Sequence, residues 1–495
     1  MSDFTAADTQ QMFQRGISLD DVQLQLKRFK AGFPELKLEH APGPVDGILQ
    51  VDAAMAQGFI ASFDDLAPSQ DVCKFVPASG AASRMFRLFF AYLKQPDSLS
   101  DSEKEKVQQI CQSLPRFALF PVLKAKLADV EALLAKAEYD KVVEVLLSEF
   151  ANLPKALIPF HRYEGFSRTA LEEHLVEGAY YCRDKSRLVR LHFTVAEQHQ
   201  ALFEQTLQAL LPAYEKRYQC RFLVETSIQN PATDTLAVDM DNQPFRQENG
   251  TLLFRPGGHG ALLENLNKLD ADIVFIKNVD NVLPEYNQQE TWHWKKILGG
   301  LLLETQQQLF DWQNALDQQE DIPEALIDFL EKKAGLRLSE AFSSWEIAEQ
   351  KAYIHRKLHR PLRVCGVIRT EEQTGGGPFW AAENDGSQSL QLVETAQINL
   401  ENSSQKAVAS QSTYANITDL VCGLKDYQGK PFDLLQHRDD DAGFITEKSL
   451  NGRPLKAMEL PGLWNGAMAD WNTVIVEVPG STFNPVKRLE DLEER

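Results

Sequence analysis

From Asp71 onward the chain alternates short β-rich apolar runs with stretches whose apolar residues recur at helical spacing. This alternation restricts the architecture more than any other feature. Val72-Cys73-Lys74-Phe75-Val76 is such a run; it ends in the turn cluster Pro77 to Arg84 and is followed by the helix-periodic Met85 to Leu93. Similar strand-like runs are Leu188–Thr194, Arg221–Thr226, Ile273–Ile276, Arg363–Ile368 and Thr473–Val478, with helical stretches such as Glu197–Ala213 and Ala261–Leu269 separating several of them. Strands alternating with helices predict an α/β fold: a mostly parallel, mixed sheet flanked by helices on both faces.

The rest of the chain is read around that unit. Residues up to Phe33 have helical pattern with a polar outer face, and Pro34, Pro42, Gly43 and Pro44 then interrupt any regular structure. Residues 1–70 are therefore expected to form an N-terminal helical segment, and 71–495 one α/β domain. Two helical insertions are expected in it, near 95–150 and 287–360. The first carries Leu127, Val130, Leu133 and Leu134 on one stripe; the second is Gln-rich, with Trp292, Trp294, Leu301 and Leu302 available for packing.

Charge and composition exclude several function classes. With 51 Lys and Arg against 71 Asp and Glu, the net charge of −20 opposes a general nucleic-acid binder, so any anionic ligand must meet a local cluster of cations. Met1 to Thr5 has no basic or apolar leader pattern, and nowhere do about eighteen apolar residues run together. A cytoplasmic protein with no membrane partner is expected. The cysteines at 73, 111, 182, 220, 365 and 422 stand singly, without zinc-finger spacing, which fits a reducing compartment and no structural metal. Oligomeric state is left open.

Four segments could carry chemistry, since open α/β sheets bind ligands beyond the carboxyl ends of their strands. Pro77-Ala78-Ser79-Gly80-Ala81-Ala82-Ser83-Arg84 is either a small-residue loop that lets a phosphate approach backbone N–H groups, with Arg84 adding a cation, or a turn chosen for close packing. Asn278-Val279-Asp280-Asn281 follows a hydrophobic strand; its Asp is placed to hold Mg²⁺, or it forms an Asp-Asn turn. Gly257-Gly258-His259-Gly260 reads as a ligand contact or as a structural histidine. Glu477 to Lys487 is a strand and a proline-fixed loop that delivers one lysine, which is unremarkable except in company with the others.

Taken in order, these segments resemble those of the UDP-sugar pyrophosphorylases, uridylyltransferases of GT-A-like (Rossmann-like) fold, and of a bacterial family of unknown function that shares the motif set. The loop Ala78, Ser79, Gly80, Ala81 to Arg84 resembles that class's nucleotide loop, and Pro154-Lys155 its Pro-Lys element. Gln229 with Pro231 resembles the segment near the uracil, and Gly258-His259-Gly260 the class's Gly-His-Gly. Asn278-Val279-Asp280-Asn281 is similar to an Asn-x-Asp-Asn whose Asp holds Mg²⁺, and Phe483 to Lys487 to a closing Phe-x-Pro-x-Lys. Glu394 and Asn416 are looser matches to sugar-contacting positions, and the segment from Lys448 to Gly466 lies either over the sugar or at a domain contact. The loop departs from the class at Ser79-Gly80, Ala82 and Phe86, where glycines are usual.

The resemblance implies Mg²⁺-dependent transfer of a nucleotide, UTP foremost, to a sugar 1-phosphate with release of pyrophosphate. The attacking phosphate oxygen is already anionic, so such a site needs no general base; it needs in-line positioning and cations, here Arg84, Lys155, Lys487 and a metal on Asp280. The alternatives are a catalytically silent nucleotide-sugar sensor or scaffold, which the altered loop permits, and a GT-A glycosyltransferase, against which the closing lysine speaks.

Overall fold

The computed structural model describes residues 4–318, 321–371 and 376–493. Its residues divide into two compact units. The first comprises Met1–Asp71, Gln229–Ile276 and Lys296–Val478; the second comprises Val72–Ile228, Lys277–Lys295 and Pro479–Arg495.

In the second unit the strands Val72–Pro77, Leu188–Val195 and Arg221–Ile228 lie side by side in that order and all parallel, with Cys73 opposite Arg190 and Leu188 opposite Arg221. Every residue from Val72 to Val76 is buried, which explains why the run shows no polar alternation. The helix Glu197–Tyr218 returns the chain between the last two strands. Between residues 87 and 150 the chain is helical, as Arg87–Lys94, Asp101–Ser113, Phe120–Lys126, Val130–Ala135 and Tyr139–Phe150. Of the expected apolar stripe, Leu127, Val130 and Leu133 are buried and Leu134 is half-buried. The helix after the first strand begins at Arg87, not Met85, because a 3-10 turn, Ala82–Arg84, comes first.

In the first unit the strands follow the order Ile48–Leu49, Asn472–Glu477, Leu362–Arg369, Tyr414–Gly423 and Ile273–Lys277, the last residue of which already belongs to the second unit. Asn472–Glu477 runs parallel to both of its neighbours, whereas Tyr414–Gly423 is antiparallel to Leu362–Arg369. That antiparallel strand escapes a reading by apolar runs because Asn416, Thr418 and Asp419 interrupt it; Thr418 has a positive φ of 53° at a bulge opposite Gly366 and Val367. A separate antiparallel sheet is built from Leu38–His40, Gly376–Ala382, Gln388–Glu394 and Leu336–Arg337. The Gln-rich region supplies the helices Gln289–Ala315, Glu324–Lys333 and Ile347–Leu358.

The N-terminal helices Ala6–Arg15 and Leu19–Ala31 each start at a capping box, Thr5 with Asp8 and Ser18 with Asp21. Their inner face buries Met12, Val22, Leu26 and Phe29, with Ile17 between the two helices, against Leu236, Val238, Leu252, Phe254 and Met458. These helices therefore share a core with residues more than two hundred positions away, at roughly 1.5–3 kcal/mol per buried side chain. Residues 38–40 and 48–49 of the same segment are strands. No helix among the described residues is long and apolar enough to cross a membrane, and the six cysteines are buried and unpaired.

Candidate functional site

In the second unit, three segments that are far apart in sequence meet at one carboxylate. Asp280 follows the fully buried strand Ile273–Lys277, and its Oδ2 accepts hydrogen bonds from Lys155 Nζ and Lys487 Nζ, both at 2.8 Å. The backbone around it is held as well. The Asp280 carbonyl accepts the Val486 N–H at 3.0 Å, and Asn281 Oδ1 accepts the Asn484 N–H at 2.9 Å, so the closing Phe483–Lys487 segment is stitched along the Asp280 turn. Burial alone would push the Asp280 carboxyl up; the two ammonium groups reverse this and hold it below the ordinary carboxylate value. Burial depresses Lys155 against the pull of Asp280. The lysines differ in access: the side chain of Lys155 is 13% exposed and that of Lys487 59%.

Lys155 also ties this carboxylate to the small-residue loop. Its N–H donates to the Gly80 carbonyl at 3.1 Å, and the Ala82 N–H donates to the Leu153 carbonyl at 3.1 Å. Ala78 is buried and bonded through its N–H to the Thr194 carbonyl at 2.9 Å, while Gly80 and Ala81 are exposed. The N–H groups of Ser79, Gly80 and Ala81, three in succession, have no acceptor among the described residues. A Cβ built on Gly80 meets nothing within 4 Å, so packing does not require a glycine there. Arg84 is exposed in the 3-10 turn and has no ion pair among the described residues. The structure thus joins Lys155, Lys487, Asp280 and the loop, and gives Arg84 no bond to them among the described residues.

Asp280 Oδ1 is buried and has no hydrogen-bond partner, although Oδ2 has two. A buried carboxylate oxygen without a partner is costly unless something else satisfies it. Among the described residues no group of three His, Cys, Asp or Glu side chains is arranged to hold a metal. That donor set suits a hard cation that takes one carboxylate from the protein and the remaining oxygens from phosphate and water, the usual habit of Mg²⁺.

In the first unit a second constellation centres on His259. Leu463 N–H donates to His259 Nδ1 at 2.9 Å, so the ring proton sits on Nε2, which donates to Glu394 Oε1 at 2.7 Å. Asn465 Nδ2 donates to the same oxygen at 2.5 Å, and the Trp464 indole stacks on the imidazole with centroids 4.2 Å apart and planes 7° from parallel. Here the neighbouring glycines are required by the chain itself. Gly258 has φ +81°, and its Cβ would come within 3.0 Å of Glu459 Oε2; a Cβ on Gly260 would lie 2.0 Å from the Pro461 carbonyl oxygen. The space beside the glycines is therefore filled by residues 459–461. Lys448 Nζ donates to Glu459 Oε1 at 2.9 Å. Gln229 bonds to Thr233 Oγ1 at 3.3 Å, and Asn416 Oδ1 accepts the Thr418 N–H at 2.9 Å inside the bulge. Among the described residues none of Gln229, Asn416 and Lys448 bonds to His259 or Glu394. Trp464 and Asn465 belong to the segment that the sequence sets over the sugar or at a domain contact; the structure sets them against His259 and Glu394.

The sequence matches, over residues 5–494, the family described as Domain of unknown function (DUF4301). The chain belongs to this family. No curated protein matches it. In fold, this DUF4301 chain is similar to the uridine diphosphate N-acetylglucosamine pyrophosphorylase from Trypanosoma brucei, with a TM-score of 0.51 over 99% of this chain and 79% of that one, at 12% identity. It is also similar to the UDP-glucose pyrophosphorylase from Leishmania major, with a TM-score of 0.47 over the same shares, at 14% identity. At 12% identity the first likeness is one of fold, and the fold is the expected α/β one.

Proposed function

We propose that this chain is a Mg²⁺-dependent nucleotidyltransferase that joins a nucleoside triphosphate, UTP foremost, to a sugar 1-phosphate with release of pyrophosphate. The observation that carries this reading is the Lys155–Asp280–Lys487 cluster, with its unpartnered carboxylate oxygen, tied through Gly80 to a loop of free N–H donors.

A phosphate oxygen of the sugar 1-phosphate attacks the α-phosphorus of the triphosphate; the α–β bridging bond breaks and pyrophosphate departs with its electron pair. No proton has to be removed from the nucleophile, so no base is needed beside Asp280. The protein's part is to fix the two phosphates in line and to meet the charge that gathers on the departing oxygens. Lys155 is suited to this by its restricted side chain, and Lys487 by its reach from an exposed position. The donors of Ser79, Gly80 and Ala81 are suited to oxygens of the same chain of phosphates. Asp280 would hold Mg²⁺ through Oδ1, and the ion would supply charge neutralisation at the phosphate oxygens. In the first unit, His259 and Glu394 are the groups proposed for contact with the sugar.

Pyrophosphate release from a panel of nucleoside triphosphates and sugar 1-phosphates with Mg²⁺ tests the proposal, with Asp280→Asn as control. Turnover that disappears in the folded control is expected. No pyrophosphate and no calorimetric binding of any panel member would end the reading; binding without turnover would leave the sensor.

A further inference from the structure

The second unit contains a buried ionic network that the proposed chemistry does not use. The helix Ala170–Tyr181 starts at a capping box, Thr169 with Glu172, and is buried on nearly every side, so its charged residues cannot form a solvated face. His174 and Glu177, one turn apart, point the same way. Glu177 accepts Lys74 Nζ on Oε2 and Lys277 Nζ on Oε1, both at 2.8 Å, with all three side chains wholly shielded from solvent. Lys74 lies in the strand that leads to the Ala78–Ala81 loop, and Lys277 is the residue immediately before Asn278.

His174 reaches the Asp280 turn itself. Its Nε2 lies 3.1 Å from the Val279 carbonyl oxygen; a carbonyl can only accept, so Nε2 carries the proton and Nδ1 is left as a buried, unpartnered lone pair. The His174 carbonyl in turn accepts Lys74 Nζ at 3.2 Å. Asp280 is thus held from two directions. Val486 binds the Asp280 carbonyl and Asn484 the Asn281 side chain, while one helix face binds the Val279 carbonyl and the Lys277 side chain.

We propose that His174 is a positioning residue: with Glu177 anchoring Lys277, its hydrogen bond to Val279 sets where the Asp280 carboxylate stands relative to Lys155 and Lys487. The inference rests on the reading of Asp280 given above. It also explains why a histidine occupies a fully buried position where a leucine would pack at lower cost.

The test compares His174→Leu, which removes the donor, with His174→Gln, whose amide nitrogen can replace Nε2. Three readouts are used: hydrogen exchange at the Asn281 and Val486 amides with Val364 and Val421, paired in the first unit, as controls, Mn²⁺ affinity in the presence of UTP, and the split between kcat and KM. In the leucine variant exchange is expected to rise at 281 and 486 but not at the controls. Mn²⁺ affinity should fall about 10- to 100-fold, the usual effect of removing a hydrogen bond that orients a ligand, and kcat should fall at unchanged KM for the sugar phosphate. The glutamine variant should recover all three. Should the leucine variant not fold, His174→Asn, too short to reach Val279, takes its place. A folded donor-less variant with unchanged exchange at 281 and 486, or a glutamine variant as impaired as the leucine one, overturns the proposal. If the wild type neither binds Mn²⁺ with UTP nor turns over, the nucleotidyltransferase reading fails, while exchange still decides whether His174 holds the turn.

Discussion

Replacing Lys487 by methionine separates the two jobs assigned to the Asp280 cluster, because it moves metal affinity and turnover in opposite directions. The ammonium sits 2.8 Å from Asp280 Oδ2, and the lysine side chain is 59% exposed. At the dielectric of water a pair at that distance interacts by about 1.5 kcal/mol, and solvent exposure and side-chain entropy reduce the net value to about 1 kcal/mol or less. Folding should therefore change little. A metal ion approaching Asp280 no longer competes with that ammonium, so Mn²⁺ alone should bind about fivefold more tightly, the equivalent of about 1 kcal/mol. Turnover should fall about 10²- to 10³-fold in kcat, the loss typical of one preorganised group at a developing charge. Mn²⁺ titration by calorimetry or paramagnetic resonance gives the first number and coupled pyrophosphate detection the second. Misfolding would weaken both. Weaker Mn²⁺ binding in a folded Lys487→Met protein, or unchanged kcat, would refute the reasoning.

Three further outcomes follow from the same structure. Gly80→Ala should leave stability unchanged or raise it by roughly 0.4–1 kcal/mol while weakening UTP binding, whereas Gly260→Ala, 2.0 Å from the Pro461 oxygen, should unfold at lower denaturant; urea titration and nucleotide calorimetry check both. Glu394→Gln removes the charge that orients His259 and should raise KM for the sugar phosphate about 10- to 100-fold at constant KM for the nucleotide, the value of one charged hydrogen bond. Burial pushes His192 down to about 4, so between the ordinary value near 6.5 and about 4 the unfolded chain binds a proton that the folded one does not. His192 should therefore contribute about 1.4 kcal/mol per pH unit to the loss of stability on acidification through that window, and His192→Gln, measured by denaturant melts from pH 7 to 4.5, should lessen the slope by that amount.

Much of the framework could be read locally. The runs at 72–76, 188–194, 221–226, 273–276 and 363–368 are strands, and so is 473–478 up to Glu477, because an apolar run between turn residues is a short-range signal that tertiary context rarely overrides. Tyr414–Gly423 was not legible, since its polar residues answer to a bulge and not to a face. Of the candidate site, the residue types were legible and their grouping was not. Lys155 and Lys487 lie 125 and 207 positions from Asp280, and no spacing rule connects them. The buried Lys74, Glu177 and Lys277 gave no signal either, because a charged residue in a helix or strand ordinarily reads as surface.

By itself the sequence determined the α/β class, the helical regions around it, and a short set of polar residues placed just beyond apolar strands. Those follow from periodicity and turn chemistry, which act over a few residues. Only the tertiary structure decided that two lysines share one oxygen of Asp280 and leave the other unpartnered. It also decided between equivalent readings of similar glycines: Gly80 has open space beside it, whereas Gly260 is pressed against the backbone at Pro461. Burial, desolvation and close approach depend on which distant segments meet, and that is a property of the folded chain.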